Sequence, residues 1–206
     1  MIATYDELLA AGPELLSLDA RAVRTSIDVV SQLSIADLDA PTPCAGWALR
    51  DLLEHLIIQH YGFAAASRGE GDIALWKPIP LGADPIAEYR AAAEHVLAAF
   101  AVPGALERSF PLPEIRDGIV IPGALAVSFH FVDYVVHSWD VARALDLTVD
   151  FDADVLAAAL LVAQAVPGGE VRTQPGASFA PEVILPDGSG LDQVLAVLGR
   201  SPSWPH

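Results

Sequence analysis

The spacing of apolar side chains along the chain predicts a helical protein. Apolar residues recur every three or four positions in four long segments, which is the period of an amphipathic α-helix. A cap signal supports the third segment, because Asp84 suits an N-cap and Pro85 suits the first helical position. We expect helices over Leu16–Leu33, Ala48–Ser67, Pro85–Phe100 and Pro122–Leu145.

The connections between these segments are rich in proline and glycine. Residues 39–47 contain two prolines and a glycine, which exclude a continuous helix there. Residues 104–122 have the composition of a loop with a short extended segment. Long helices joined by turn-rich connections are typical of a four-helix bundle. We therefore predict an all-α fold, with a four-helix bundle over residues 1–150.

The remaining residues, 151–206, follow a different pattern. Shorter helices are predicted over Asp152–Val166 and Leu191–Leu198, and the proline-rich stretch Pro175–Asp187 between them resembles an extended strap. We expect a C-terminal appendage of helices and strap, packed on the bundle.

Charge and composition exclude several classes of partner. The 206 residues include 11 Lys and Arg against 27 Asp and Glu, for a net charge of −16. So acidic a chain is unsuited to nucleic acid or to an anionic membrane surface. Although 53% of the residues are apolar, the longest uncharged apolar runs have about 15 residues, and a membrane span needs roughly 20.

The expected setting is the cytoplasm. The first residues carry no basic region, so we expect no signal peptide, and one cysteine excludes an intramolecular disulfide. These features predict a cytoplasmic protein. The high apolar content is also consistent with a homodimer.

The fourth predicted helix carries the residues best suited to chemistry. At 100° per residue, His130, Asp133, His137 and Asp140 share an arc of about 80° on a helix that is otherwise apolar. Ionisable groups in such surroundings are costly unless they are paired or bound to a cation. Asp133 and His137 are four residues apart, so their side chains lie one turn apart and can share a metal ion.

A third metal ligand must come from another helix, and His55 is the best candidate. It shares its side of the second helix with Gln59 and Gly62, whereas His60 lies about 140° away and cannot face the same site. Spacing alone leaves two other interpretations open. A histidine among apolar residues is often a hydrogen-bonded core residue, and an Asp/His pair one turn apart is often a simple polar contact.

Three sequence motifs resemble those of a known family. Pro41-Thr-Pro-Cys-Ala-Gly-Trp47, followed by the start of the second helix, resembles one signature of the DinB-like metal-binding proteins of the mycothiol-dependent maleylpyruvate isomerase type. Asp133-Tyr-Val-Val-His137-Ser-Trp-Asp140 resembles their second signature. Leu198-Gly-Arg-Ser-Pro-Ser-Trp204 is similar to the tail of a short actinobacterial subgroup.

The resemblance implies a four-helix bundle holding a divalent metal through His55, Asp133 and His137. Zinc is the first choice, with nickel or iron as alternatives, and mycothiol is the implied cosubstrate. The implied activity is a metal- and thiol-dependent transferase or isomerase acting on a small electrophile. A non-enzymatic metal-binding or sensor module is the alternative. The related isomerase has Glu in place of Asp133 and a second domain too large for this chain, so its substrate is not transferred.

Four further residues have more than one interpretation. Asp140 could orient a ligand histidine or a neighbouring arginine, or it could form a cap or a salt bridge to Arg143. His130 could be an extra ligand, a general base or, as we favour, a core histidine. Cys44 precedes a helix, where a thiol becomes more acidic, but cysteine is also commonly buried. Trp47 suits the core or a pocket wall.

Overall fold

The computed structural model describes residues 2–174 and 176–205, and its regular structure is mainly helical. Two short strands pair antiparallel, with Phe110 opposite Ile121. Because these strands have only three residues each and the rest of the regular structure is helical, the predicted all-α class is confirmed. The helices are α1 (Tyr5–Ala10), α2 (Gly12–Val30), α3 (Leu49–Ala66), α4 (Pro85–Phe100), α5 (Gly123–Ala144), α6 (Ala153–Ala165) and α7 (Gly190–Val197), and the strands are β1 (Ser109–Pro111) and β2 (Val120–Pro122).

The four long helices pack around a common apolar core. Helix α2 packs most extensively against α5, and α3 against α4, while α2–α4 and α3–α5 contacts complete the ring. Most residues of α5 are buried, so this helix is apolar on nearly every side. Of its ionisable side chains, His130, His137 and Asp140 are buried, whereas Asp133 and Arg143 are partly buried.

The predicted helix boundaries agree with the structure to within a few residues, with two informative differences. Helix α2 begins at Gly12 rather than Leu16, because Pro13 provides a favourable first turn. Helix α1 was not predicted. The Thr4 hydroxyl accepts from the Glu7 amide at 3.2 Å, and the Glu7 carboxylate accepts from the Thr4 amide at 3.3 Å. This capping box stabilises a helix too short to show periodicity.

The C-terminal residues pack on the long helices. Helix α6 contacts α7, α1, α2 and α5. Pro175, the first residue of the predicted strap, lies outside the described residues, and residues 176–187 form neither helix nor strand. The Val183 amide donates to the Ala196 carbonyl at 2.9 Å, which ties the strap to α7. The domain boundary near residue 150 stays a prediction.

Among the residues that the structure describes, no helix combines the length and the apolarity needed to cross a bilayer.

Candidate metal centre

Helices α3 and α5 bring His55, Asp133 and His137 together. One ligand atom from each residue can be chosen so that all three lie within 4.8 Å of one another. The His137 Nε2 lies 3.3 Å from Asp133 Oδ1, and the rings of His55 and His137 are 5.6 Å apart between centroids. The three residues expected to form a metal site therefore share one place in the fold.

A buried hydrogen bond fixes α3 against α5 beside this group. The hydroxyl of Tyr134 donates to the carbonyl of Leu56 at 2.6 Å. Tyr134 follows Asp133 in sequence, and Leu56 follows His55. This contact therefore sets the register between the two helices at the level of the candidate ligands.

The second ring nitrogen of His137 is held by Asp140. His137 Nδ1 donates to Asp140 Oδ2 at 2.8 Å, and the Asp140 side chain is fully buried. A carboxylate on one ring nitrogen orients the other toward a metal, as in many metal-binding histidines. Asp140 thus contacts the candidate ligand His137. Arg143 instead donates to the Trp204 carbonyl at 2.6 Å.

Arg200, from the C-terminal tail, also binds Asp140. Its Nη2 lies 2.8 Å from Asp140 Oδ2, and its Nε lies 3.0 Å from both carboxylate oxygens. Burial disfavours the charged carboxylate, but the charge of Arg200 and the bond from His137 lower the pKa of Asp140. Sequence reasoning assigned no role to Arg200. Its only signal was a position inside the tail motif.

Cys44 lies on the other side of the same cluster. Its Sγ is 3.4 Å from Asp140 Oδ2, and it is 3.9 Å from both His137 Nδ1 and Arg200 Nη2. Cys44, His137 and Asp140 form a second group of ligand types within reach of one another. The guanidinium of Arg200 already supplies a cation to Asp140, so this second group is less suited to a metal than the first.

Burial and charge set the protonation of the three candidate ligands. Burial lowers the pKa of His55 to about 4, so its neutral ring keeps a lone pair at neutral pH. Burial opposes ionisation of Asp133, yet the charge and hydrogen bond of His137 lower its pKa to about 2. Burial also opposes a charged His137, but Asp133 and Asp140 raise its pKa well above the usual value. A metal bound here would displace a proton from His137.

Comparison with known families shows which family the chain belongs to. A family model described as the mycothiol maleylpyruvate isomerase N-terminal domain matches residues 20–142. The chain belongs to this family. The matched segment includes His55, Asp133, His137 and Asp140, and it ends before Arg200. The family resemblance drawn from the sequence motifs is confirmed.

Relatives and solved structures share much of the chain. Two uncharacterized proteins of Mycobacterium tuberculosis, MT0763 (strain CDC 1551 / Oshkosh) and Rv0738 (strain ATCC 25618 / H37Rv), are each 32% identical over 170 residues, 80% of this chain and 85% of theirs. A crystal structure of a mycothiol-dependent maleylpyruvate isomerase matches with a TM-score of 0.55 and 15% identity, covering 83% of this chain and 72% of that one. A histidine-to-alanine mutant of that isomerase matches with a TM-score of 0.56 and 14% identity, covering 88% and 77%. These likenesses establish the family's helical fold.

His130 lies outside the three-residue group. It is fully buried, with Nδ1 2.7 Å from Asp19 Oδ1 and Nε2 3.2 Å from His60 Nδ1. Its hydrogen-bond partners among the described residues are thus Asp19 and His60, on α2 and α3. This buried network joins α5 to α2 and α3, and we assign His130 no role at the metal centre.

Two more residues define the surroundings of His55. The Trp47 ring lies 5.0 Å from the His55 ring and is 38% exposed, so it forms part of the wall beside this ligand. One turn after His55, Gln59 donates to Glu114 Oε2 at 2.6 Å, which ties the β1–β2 loop to α3. Sequence reasoning placed Gln59 on the His55 side but missed Glu114, because loop contacts leave no periodic signal.

Proposed function

We propose that this protein is a divalent-metal-dependent enzyme that uses a low-molecular-weight thiol of the mycothiol type. Its reaction is transfer or isomerisation of a small electrophilic molecule. The observation that carries the proposal is the convergence of His55, Asp133 and His137. The Nδ1 of His137 is hydrogen-bonded to Asp140, which leaves its Nε2 on the side of the other two residues. Family membership and the mycothiol dependence of the two similar isomerase structures support the thiol.

The chemistry of the donor set fits a divalent transition metal. Two imidazole nitrogens and one carboxylate oxygen suit zinc first, and nickel or iron as alternatives. His55 is neutral and Asp133 is ionised at neutral pH, which are the states that ligation requires. His137 is the ligand whose proton must leave.

Each residue has a definite task in this proposal. His55, Asp133 and His137 would hold the metal, which would act as a Lewis acid and lower the pKa of a bound thiol or water. Asp140 orients His137, and Trp47 forms an apolar wall beside His55. The same proposal includes a small-molecule partner and a cytoplasmic location. The net charge of −16 supports the further proposal that the protein has no nucleic-acid or membrane partner.

Cobalt substitution tests the thiol directly. Untagged protein loaded with Co²⁺ should gain a near-ultraviolet thiolate-to-cobalt band when mycothiol or a simpler thiol is added. Turnover of a panel of small electrophiles should then require both metal and thiol. A cobalt spectrum that no thiol changes would rule out the thiol-using reaction. Saturable thiol binding without turnover would instead favour a non-enzymatic metal-binding module.

A further inference from the structure

Arg200 reaches the metal centre from a part of the chain far from the ligands. It lies 58 residues beyond the end of the matched family segment, which is residue 142, so that 200 − 142 = 58. Its side chain is only 14% exposed, and it makes three contacts with the fully buried carboxylate of Asp140. Such burial distinguishes this pair from a surface salt bridge, which contributes little.

The geometry of this contact constrains the carboxylate of Asp140. The planar guanidinium places Nε and Nη2 against it, and this two-point contact fixes its orientation as well as its position. Oδ2 of the same carboxylate accepts the Nδ1–H of His137. Arg200 therefore acts on the ring of His137 through Asp140, and the ring's orientation decides where Nε2 points.

Contacts within the appendage hold Arg200 in place without a bound metal. The Arg200 amide donates to the Leu195 carbonyl at 2.9 Å, just after the end of α7. Gly199 has φ +80° and packs against the Ala180 backbone too closely for a side chain. Arg172 anchors the same region through the carbonyls of Pro167 and Val197. The fold of the appendage thus fixes the chain at Arg200 beside Asp140.

We propose that Arg200 is a positioning residue of the metal centre, which acts through Asp140 to aim Nε2 of His137 at the metal. The C-terminal appendage then completes a site whose ligands all lie on α3 and α5. This inference rests on the metal site proposed above and adds to it a contribution from outside the family segment.

A double-mutant cycle tests whether Arg200 acts on His137 through Asp140. The zinc dissociation constant is measured by competition with a chromophoric chelator for wild type, Arg200→Gln, Asp140→Asn and the double variant. Outer partners of ligand histidines typically contribute about 10–100-fold to metal affinity, so Arg200→Gln should weaken zinc binding at least tenfold. In the Asp140→Asn background the same change should cost nothing further. Arg200→Lys should retain part of the affinity because it keeps the charge but loses the two-point contact.

The control must separate positioning from folding. Arg21→Gln removes the ion pairs that join α2 to Asp152 and Asp154 at the start of α6. These pairs involve neither Asp140 nor Arg200, so the variant should weaken the attachment of the appendage and leave zinc affinity unchanged. Equal zinc affinity in wild type and Arg200→Gln would overturn the inference. So would an equal loss in Arg21→Gln, or a further tenfold loss in the double variant.

A measurement on the metal-free protein keeps this inference distinct from the proposed function. The buried Nδ1–H of His137 should give a slowly exchanging downfield proton resonance in wild type, and Arg200→Gln should speed its exchange with water. Folding of each variant is checked by circular dichroism. If wild type bound no zinc, the proposed function would fail, and this resonance would still test Arg200. Unchanged exchange in folded Arg200→Gln would overturn its positioning role.

Discussion

At the scale of single residues, the chemistry of the site depends on His137 lying between two carboxylates. Asp140 holds Nδ1, and Asp133 faces Nε2 at 3.3 Å. The pKa of His137 is raised for this reason, whereas burial lowers that of His55. Two histidines of one candidate site are therefore expected in different protonation states before metal binds.

His55 makes the stability of the metal-free protein depend on pH. The pKa of His55 is about 4 in the folded state, against an ordinary value of 6.5. Between pH 4 and pH 6.5 this residue is therefore protonated in the unfolded chain and neutral in the folded chain. The free energy of unfolding should therefore fall as pH is lowered from 6.5 to 4. His55→Gln should reduce this fall by about 2 kcal/mol, somewhat below full linkage because His55 is partly exposed.

Urea unfolding of chelator-treated protein at pH 6.5, 5 and 4 measures this difference. His95→Gln is the matched control, because His95 is exposed on α4, and this variant should keep the wild-type pH dependence. An identical fall in His55→Gln and wild type would show that His55 is not held neutral by the fold.

The sequence predicted the residues of the site unevenly. The candidate ligands could be predicted from the sequence because His137 and Asp133 lie one turn apart, and because His55 lies in a recognisable motif. The role of Arg200 could not be predicted, since it depends on how the appendage folds back onto α5. Local spacing carries no information about such a long-range contact.

At the scale of elements, close packing of α3 depends on Gly62. Sequence analysis placed Gly62 on the same side of this helix as His55, and the Trp76 side chain of the turn Ile73–Trp76 occupies the space beside it. An added Cβ would lie 2.5–2.8 Å from three ring atoms of Trp76. Such a contact forces the ring or the helix to move.

Gly62→Ala should therefore destabilise the protein. Alanine is favoured over glycine in a helix by about 1 kcal/mol, but overpacking costs about 1–3 kcal/mol, so we expect a net loss of up to about 2 kcal/mol. Denaturant unfolding measures this loss. In the Trp76→Leu background the same substitution should become neutral or stabilising, and a loss of equal size there would exclude the ring contact as the cause.

Helices were predicted well because their cause is local. Asp84 was expected to cap α4, and its Oδ1 accepts from the Ala87 amide at 3.0 Å. The strands β1 and β2 are only three residues each and depend on each other for hydrogen bonds. Residues 104–122 therefore showed only the composition of a loop with a short extended segment.

At the scale of the whole molecule, the acidic charge and the site occupy different regions. Residues 146–192 hold eight acidic residues against one arginine, so 8 − 1 accounts for seven of the sixteen net negative charges. The candidate ligands lie on α3 and α5, where His137 is buried and His55 and Asp133 are partly buried. The net charge therefore bears on which partners the surface would attract, whereas the proposed chemistry depends on a few groups between α3 and α5.

The proposed metal centre is tested most directly by the metal content of untagged protein after incubation with zinc and removal of unbound metal. Elemental analysis should find about one zinc ion per chain in wild type and in the control His95→Ala. It should find almost none in His55→Ala or His137→Ala, provided that each variant is folded by circular dichroism. A wild-type chain without zinc, or full zinc content in either ligand variant, would contradict the assignment of His55, Asp133 and His137 as a metal site.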